Sequence, residues 1–136
     1  MQETKLKLLE RIVDRRQDSL YRFAYIRTGS QADAEDIVQD VLLEVNIGGE
    51  ASKSGVSPEQ LWPLLYTAAA QEHIRVCGLM AIPPVSEHEG DNCRYFAEMR
   101  NLFVDIRAKK YDNVSMECLS MGMSDDFTDA IAEGST

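Results

Sequence analysis

The chain has 136 residues, 44% of them hydrophobic, and a formal net charge of −9. That length holds one ordinary domain, or a small domain with an appendage. The negative balance argues against indiscriminate nucleic-acid binding, which runs on basic surface, and no apolar run approaches the ~18 residues of a membrane span. The opening MQETKLKLLERI is charged and amphipathic, unlike a signal peptide. Cys77, Cys93 and Cys118 are odd in number and show neither CxxC spacing nor a paired histidine motif. A cytoplasmic protein with reduced thiols and no metal site is expected.

From Glu3 to Arg27, Leu6, Leu9, Ile12, Val13, Leu20, Phe23 and Ala24 keep a helical period without Gly or Pro, which predicts one long helix or two abutting ones. Gly29 ends that run and Ser30 caps the next. Over Ser30 to Val45, Ala34, Ile37, Val38, Val41, Leu42 and Val45 form a single apolar stripe at helical spacing. Asp33, Glu35, Asp36, Gln39, Asp40 and Glu44 line the other side, with no Lys or Arg between them to form local ion pairs. Residues 46–56, NIGGEASKSGV, read as a loop. Ser57-Pro58-Glu59-Gln60 is a capping box with Pro at the first helical position, announcing a third helix in which Pro63 removes one backbone donor. The Pro-bearing, acidic stretch from Ile82 to Asp91 reads as a linker. A further amphipathic helix runs from Tyr95 to Ile106, and a short strand from Val114 to Leu119. Neither His73 nor His88 stands near a second ligand type or a nucleophile motif, so no catalytic residue and no enzyme activity is expected.

Tyr21-Arg22-Phe23-Ala24-Tyr25, Gly29 and the run Asp33 to Val41 resemble region 2 of bacterial RNA polymerase sigma factors, especially the extracytoplasmic-function group. The resemblance implies a mainly α fold. A three-helix bundle over residues 1–78 would be followed by a linker over 79–94 and a small helix-strand-helix segment over 95–136. Asp33, Glu35, Asp36, Gln39 and Asp40 would then dock on the clamp helices of core RNA polymerase, and an anti-sigma factor becomes a possible partner. In that family the third helix reads the promoter's −10 element. Here Leu64 to Arg75 keeps the Leu-Tyr pair, an Ala and the later Ile, but has Leu64 for the family's Trp, Gln71 for its Asn, and Thr67 and Ala70 at two basic positions. Lys53, Trp62, Tyr66 and Arg75 are left to supply the basic and stacking groups that single-strand contacts need. Promoter DNA binding should be weak.

A second resemblance covers Tyr95 to Thr136. Leu119-Ser120-Met121-Gly122-Met123-Ser124 and the following Asp125-Asp126-Phe127 are similar to the pyridoxal-phosphate homeostasis proteins, a barrel family related to the N-terminal domain of alanine racemase. It implies that Gly122 and Ser124 help cradle the phosphate of pyridoxal phosphate (PLP), since a strand, a small-residue loop and a helix start expose backbone N–H groups and a hydroxyl. Read without the family, the same residues are an ordinary strand-turn-helix in which Ser124 caps and the methionines pack. The family's Schiff-base lysine belongs to an early strand not seen here, and its Arg-aliphatic-Gly-Thr phosphate segment would begin beyond Thr136. Forty residues do not close a barrel of roughly 200. The main expectation is therefore a polymerase-docking module with no cofactor. The alternative is a fragment of a PLP-binding homeostasis protein not competent for the cofactor alone, and a third is a helical fusion with neither activity.

Overall fold

The structure is a computed structural model that describes residues 39–136. Three strands, β1 (Gln39–Glu44), β2 (Ile74–Met80) and β3 (Val114–Ser120), form one parallel sheet in the order β1-β2-β3. Between and after them lie α1 (Pro58–Ala69), α2 (Cys93–Lys109) and α3 (Phe127–Ala132). The chain thus makes two consecutive βαβ units and a further short helix. A parallel pair needs such a crossover, because a tight hairpin can only join antiparallel strands.

The expected mainly α fold with a three-helix bundle is corrected by this sheet. Gln39 to Val45 is the end of the stripe read as an acidic docking helix, and it is extended. Leu43, Val45 and Ile47 are buried while Leu42 is exposed, the period-2 alternation of a strand. The same letters satisfy both templates, and the parallel partner Ile74–Met80 decides between them. That partner falls where the sequence reading extended the third helix to Arg75. The helix stops at Ala69, and Asn113 Nδ2 donates to the carbonyls of Ala68 (3.4 Å), Gln71 (3.1 Å) and Ile74 (3.2 Å), closing the turn into β2. Leu79 and Met80, placed at the head of the linker, belong to β2. The Ser30–Val38 part of the predicted second helix and the Glu3–Arg27 helix lie outside the described residues.

Other local signals act as the residues suggest. Ser57 caps α1, its Oγ accepting from the Gln60 N–H at 3.3 Å, and Pro58 takes the first turn, where its missing N–H costs nothing. Leu61, Leu64, Leu65 and Ala68 give α1 its buried side; Phe96, Met99 and Ile106 do the same for α2. These pack with Leu43, Val45, Val76, Leu79, Ala81, Met116, Leu119 and Met121 of the strands and their exits into one core. The other side of the strands carries Asp40, Leu42, Arg75 and Glu117, all partly exposed. Register shifts between Val41 and Leu42 on β1 and between Val76 and Gly78 on β2 mark an irregularity around Cys77, and Gly78 sits where β3 passes closest.

Candidate functional site

In sheets built from βα units, the strands present ligand-binding loops at their C-terminal ends. Three loops meet there. The first follows β1. Asn46 organises it, with Nδ2 donating to the Glu50 carbonyl at 2.7 Å and Oδ1 accepting from the Glu50 N–H at 3.1 Å, while Val56 folds back to bridge Val45. The second, after β2, is joined to the first by Lys53, whose Nζ donates to the Pro83 carbonyl at 2.7 Å and pairs with Glu50 at 3.1 Å. Gly48 lies under Pro84 so closely that a Cβ there would fall 2.6 Å from Pro84 Cδ.

The third loop follows β3 and contains Gly122 and Ser124. Gly122 has φ 102°, and a Cβ would lie 2.8 Å from Ala130 Cβ and 3.2 Å from Phe127 Cα. Only glycine allows both this backbone and the close seating of α3. Asp126, buried at the start of α3, accepts from the Met123 N–H at 2.6 Å through Oδ1 and from Asn92 Nδ2 at 2.8 Å through Oδ2. Asn92, also buried, donates from the same nitrogen to the Pro84 carbonyl at 2.9 Å. Among the described residues, the N–H groups of Gly122, Ser124 and Asp125 and the Ser124 hydroxyl meet no protein acceptor. Ser124 is exposed. Three backbone amides and a hydroxyl of one short turn are donors of the kind a phosphate takes. Beside it opens a cleft of about 390 Å³ whose walls include Ser86, Glu87, Glu89, Asp125 and Asp129.

Asn92 and Asp126 were missed from sequence as site residues. The available signal was an Asn and an Asp at the starts of two helices, which reads as capping; instead neither side chain caps its own helix and the two bond each other.

Among the described residues, those expected to touch polymerase or promoter are spread over β1, the loop after it, α1 and β2. Asp33, Glu35 and Asp36 lie outside the described residues. Gln39 begins β1. Asp40, assigned to polymerase, and Arg75, assigned to DNA, bind each other: Nε to Oδ1 at 2.8 Å and NH2 to Oδ2 at 2.9 Å, with Glu117 taking NH1 at 3.1 Å. Trp62 is half-buried with the Lys109 ammonium 5.9 Å above its ring, and Tyr66 stands edge-on to Tyr111 at 5.8 Å. Lys53 is committed to the loop contacts above.

The hydrogen bonds from Arg75 hold the Asp40 carboxyl below its ordinary value of 3.8 and raise the guanidinium in return. Because the folded value lies below the unfolded one, the pair's contribution is present above the ordinary carboxylate range and is lost as pH falls through the folded value. Both side chains are substantially exposed, so the effect is modest and weakened by salt. Thermal melts from pH 7 to pH 3 should show a shallower acid decline for Asp40→Asn than for the native chain; identical slopes would remove the pair from the acid response. Partial burial pushes the Cys77 and Cys93 thiols up, which keeps them protonated at neutral pH.

Alternating βα units on a three-stranded parallel sheet, with a glycine-bearing turn at a strand exit, are the arrangement that part of a (β/α) barrel has. The family model for the alanine racemase N-terminal domain matches residues 10–135, and the chain belongs to that family. It is similar to the pyridoxal phosphate homeostasis protein of Aquifex aeolicus, 46% identical over 106 residues, covering 78% of this chain and 46% of that protein. The protein of the same name from Pseudomonas aeruginosa is 42% identical over 97 residues, covering 71% and 40%. Among solved structures, a protein of unknown function from Bifidobacterium adolescentis superposes with TM-score 0.70 at 34% identity, covering 88% of this chain and 45% of that one. PipY of Synechococcus elongatus, solved with PLP bound, superposes with TM-score 0.60 at 25% identity, covering 74% and 45%. The chain spans about half the length of the curated relatives it matches.

These findings correct the sigma factor expectation. The family match runs through the segment from Tyr21 to Arg75 on which the polymerase reading rested, and with it go core RNA polymerase, promoter DNA and an anti-sigma factor as partners. The PLP-related alternative is the reading that fits. No helix among the described residues is long and apolar enough to cross a membrane.

Proposed function

We propose that this chain binds PLP through the turn after β3 and serves in the homeostasis of that cofactor as a cytoplasmic carrier rather than as an enzyme. The observation that carries the reading is the Gly122–Asp125 turn, with three amides and the Ser124 hydroxyl that meet no acceptor among the described residues, in a chain of this family. The names of its relatives and the PLP held by PipY support it. When bound, PLP supplies an electrophilic aldehyde on a phosphate-bearing ring. The residues described here act on the phosphate end. Gly122 lets the backbone turn without a side chain in the way, and the amides after it point as donors. Ser124 adds a hydroxyl, and Asp126 holds the Met123 N–H so that the turn keeps its shape.

Equilibrium dialysis of the full chain against PLP tests this. Saturable binding that inorganic phosphate competes away is expected. Ser124→Ala should weaken it about tenfold, the loss of one hydrogen bond to a charged group at roughly 1.5 kcal/mol. Binding unaffected by phosphate and by Ser124→Ala would place the cofactor elsewhere.

A further inference from the structure

Two buried polar side chains, Asn92 at 2% exposure and Asp126 at 7%, face each other at the base of the β3 turn. They come from different elements: Asn92 from the end of the β2–α2 loop, Asp126 from the start of α3. Burying a carboxylate costs several kcal/mol unless its oxygens are matched by donors. Here each oxygen has one, the Met123 N–H on Oδ1 and the Asn92 amide on Oδ2. Asn92 in turn spends its other proton on the Pro84 carbonyl. An apolar pair of the same size would leave the Met123 N–H and the Pro84 carbonyl without these partners, so the polar pair fixes which way the Met123 N–H points and ties the turn to the neighbouring loop.

Resting on the PLP reading above, we propose that Asn92 and Asp126 are positioning residues of the phosphate subsite. The Asn92 amide holds the Asp126 carboxylate, which takes the Met123 N–H out of the ligand's reach. The Gly122, Ser124 and Asp125 amides are thereby left as the set that meets a phosphate monoester. Neither residue touches the ligand; both act through the turn.

The chemistry of the pair supplies the test. A carboxylate accepts at both oxygens, whereas an amide accepts at one, so Asp126→Asn must break either the bond to Met123 or the bond to Asn92. Exchanging the two residues, Asn92→Asp with Asp126→Asn, lets the amide at 126 accept from Met123 and donate to the carboxylate at 92. The full chain and these two variants would be titrated with PLP by calorimetry, with thermal melts in parallel. Asp126→Asn is expected to bind PLP about tenfold more weakly, and the exchange to recover affinity to within about threefold, although its lost bond to Pro84 leaves it less heat-stable than the native chain. Asn92→Ser, a milder change, serves if Asp126→Asn does not fold, with a weakening in the same direction. Variants that lose melting temperature but bind PLP as the native chain does, or an exchange that recovers stability without affinity, would overturn the positioning role. A native chain that binds no PLP would overturn the cofactor reading and this proposal with it.

Discussion

Replacing Gly78 by alanine should cost more stability than any other single methyl group added to this sheet. A Cβ at Gly78 would lie 1.8 Å from the Cys118 carbonyl oxygen, 2.8 Å from its carbon and 3.0 Å from Leu42 Cδ2. The first two are backbone atoms of β3 and cannot rotate away. To admit the methyl, β3 must leave β2, which breaks the pairing of Gly78, Leu79 and Met80 with Cys118, Leu119 and Ser120. Overpacking a core typically costs 1–3 kcal/mol, and here the strain falls on a strand that carries Met116 and Leu119 into the core, with Met121 directly after it. The expected loss is about 3 kcal/mol or more, a large part of the 5–15 kcal/mol that holds a domain together. Urea unfolding would show it as a lower midpoint or as a lost cooperative transition. Gly49→Ala is the contrast: nothing lies within 4 Å of that Cβ, and only the positive φ of 66° opposes it, so about 1 kcal/mol is expected. Equal effects at the two sites would mean that β3 does not pass over Gly78 as described.

The second large effect combines fold and site. Gly122→Ala would place an L side chain at φ 102°, and its methyl would press on Ala130 Cβ and Phe127 Cα. Strain in that backbone region costs of order 1–3 kcal/mol. The contact with α3 adds to it, for a total of roughly 2–4 kcal/mol. Since the turn relaxes by moving its amides, PLP binding should be lost in the same variant under conditions where far-ultraviolet circular dichroism still shows a folded chain. Retained PLP binding at native affinity would show that the turn's geometry does not matter to the ligand.

What the sequence made legible follows from how local each signal is. Ser57-Pro58 starts α1 because capping and the missing proline N–H are settled within four residues. The apolar period from Tyr95 to Ile106 lies inside α2, and Val114 to Leu119 lies inside β3, whose flanks break any helical period. Gly122 is legible both as a turn glycine and as part of a family motif. The end of the acidic stripe, from Gln39, was misread because Val41, Leu42 and Val45 satisfy a helical spacing while Val41, Leu43, Val45 and Ile47 satisfy a strand, and what favours the strand is the parallel partner more than thirty residues away, Asp40 opposite Arg75. Ile74 to Met80 was missed for the same reason: it is a short apolar run with no alternation strong enough to identify it alone. The charges of Asp40 and Arg75, read as surfaces for two different macromolecules, answer each other across adjacent strands. Asn92 and Asp126 were illegible because a contact between two loops leaves no periodic trace.

The measurement that bears most directly on the account is an amide correlation spectrum of the full ¹⁵N-labelled chain titrated with PLP. Saturable shifts at Gly122, Ser124 and Asp125, with Gly49 and the Asp40–Arg75 region unmoved, are the predicted result. Shifts that leave those three amides in place, or none at all, would contradict a phosphate site at the end of β3.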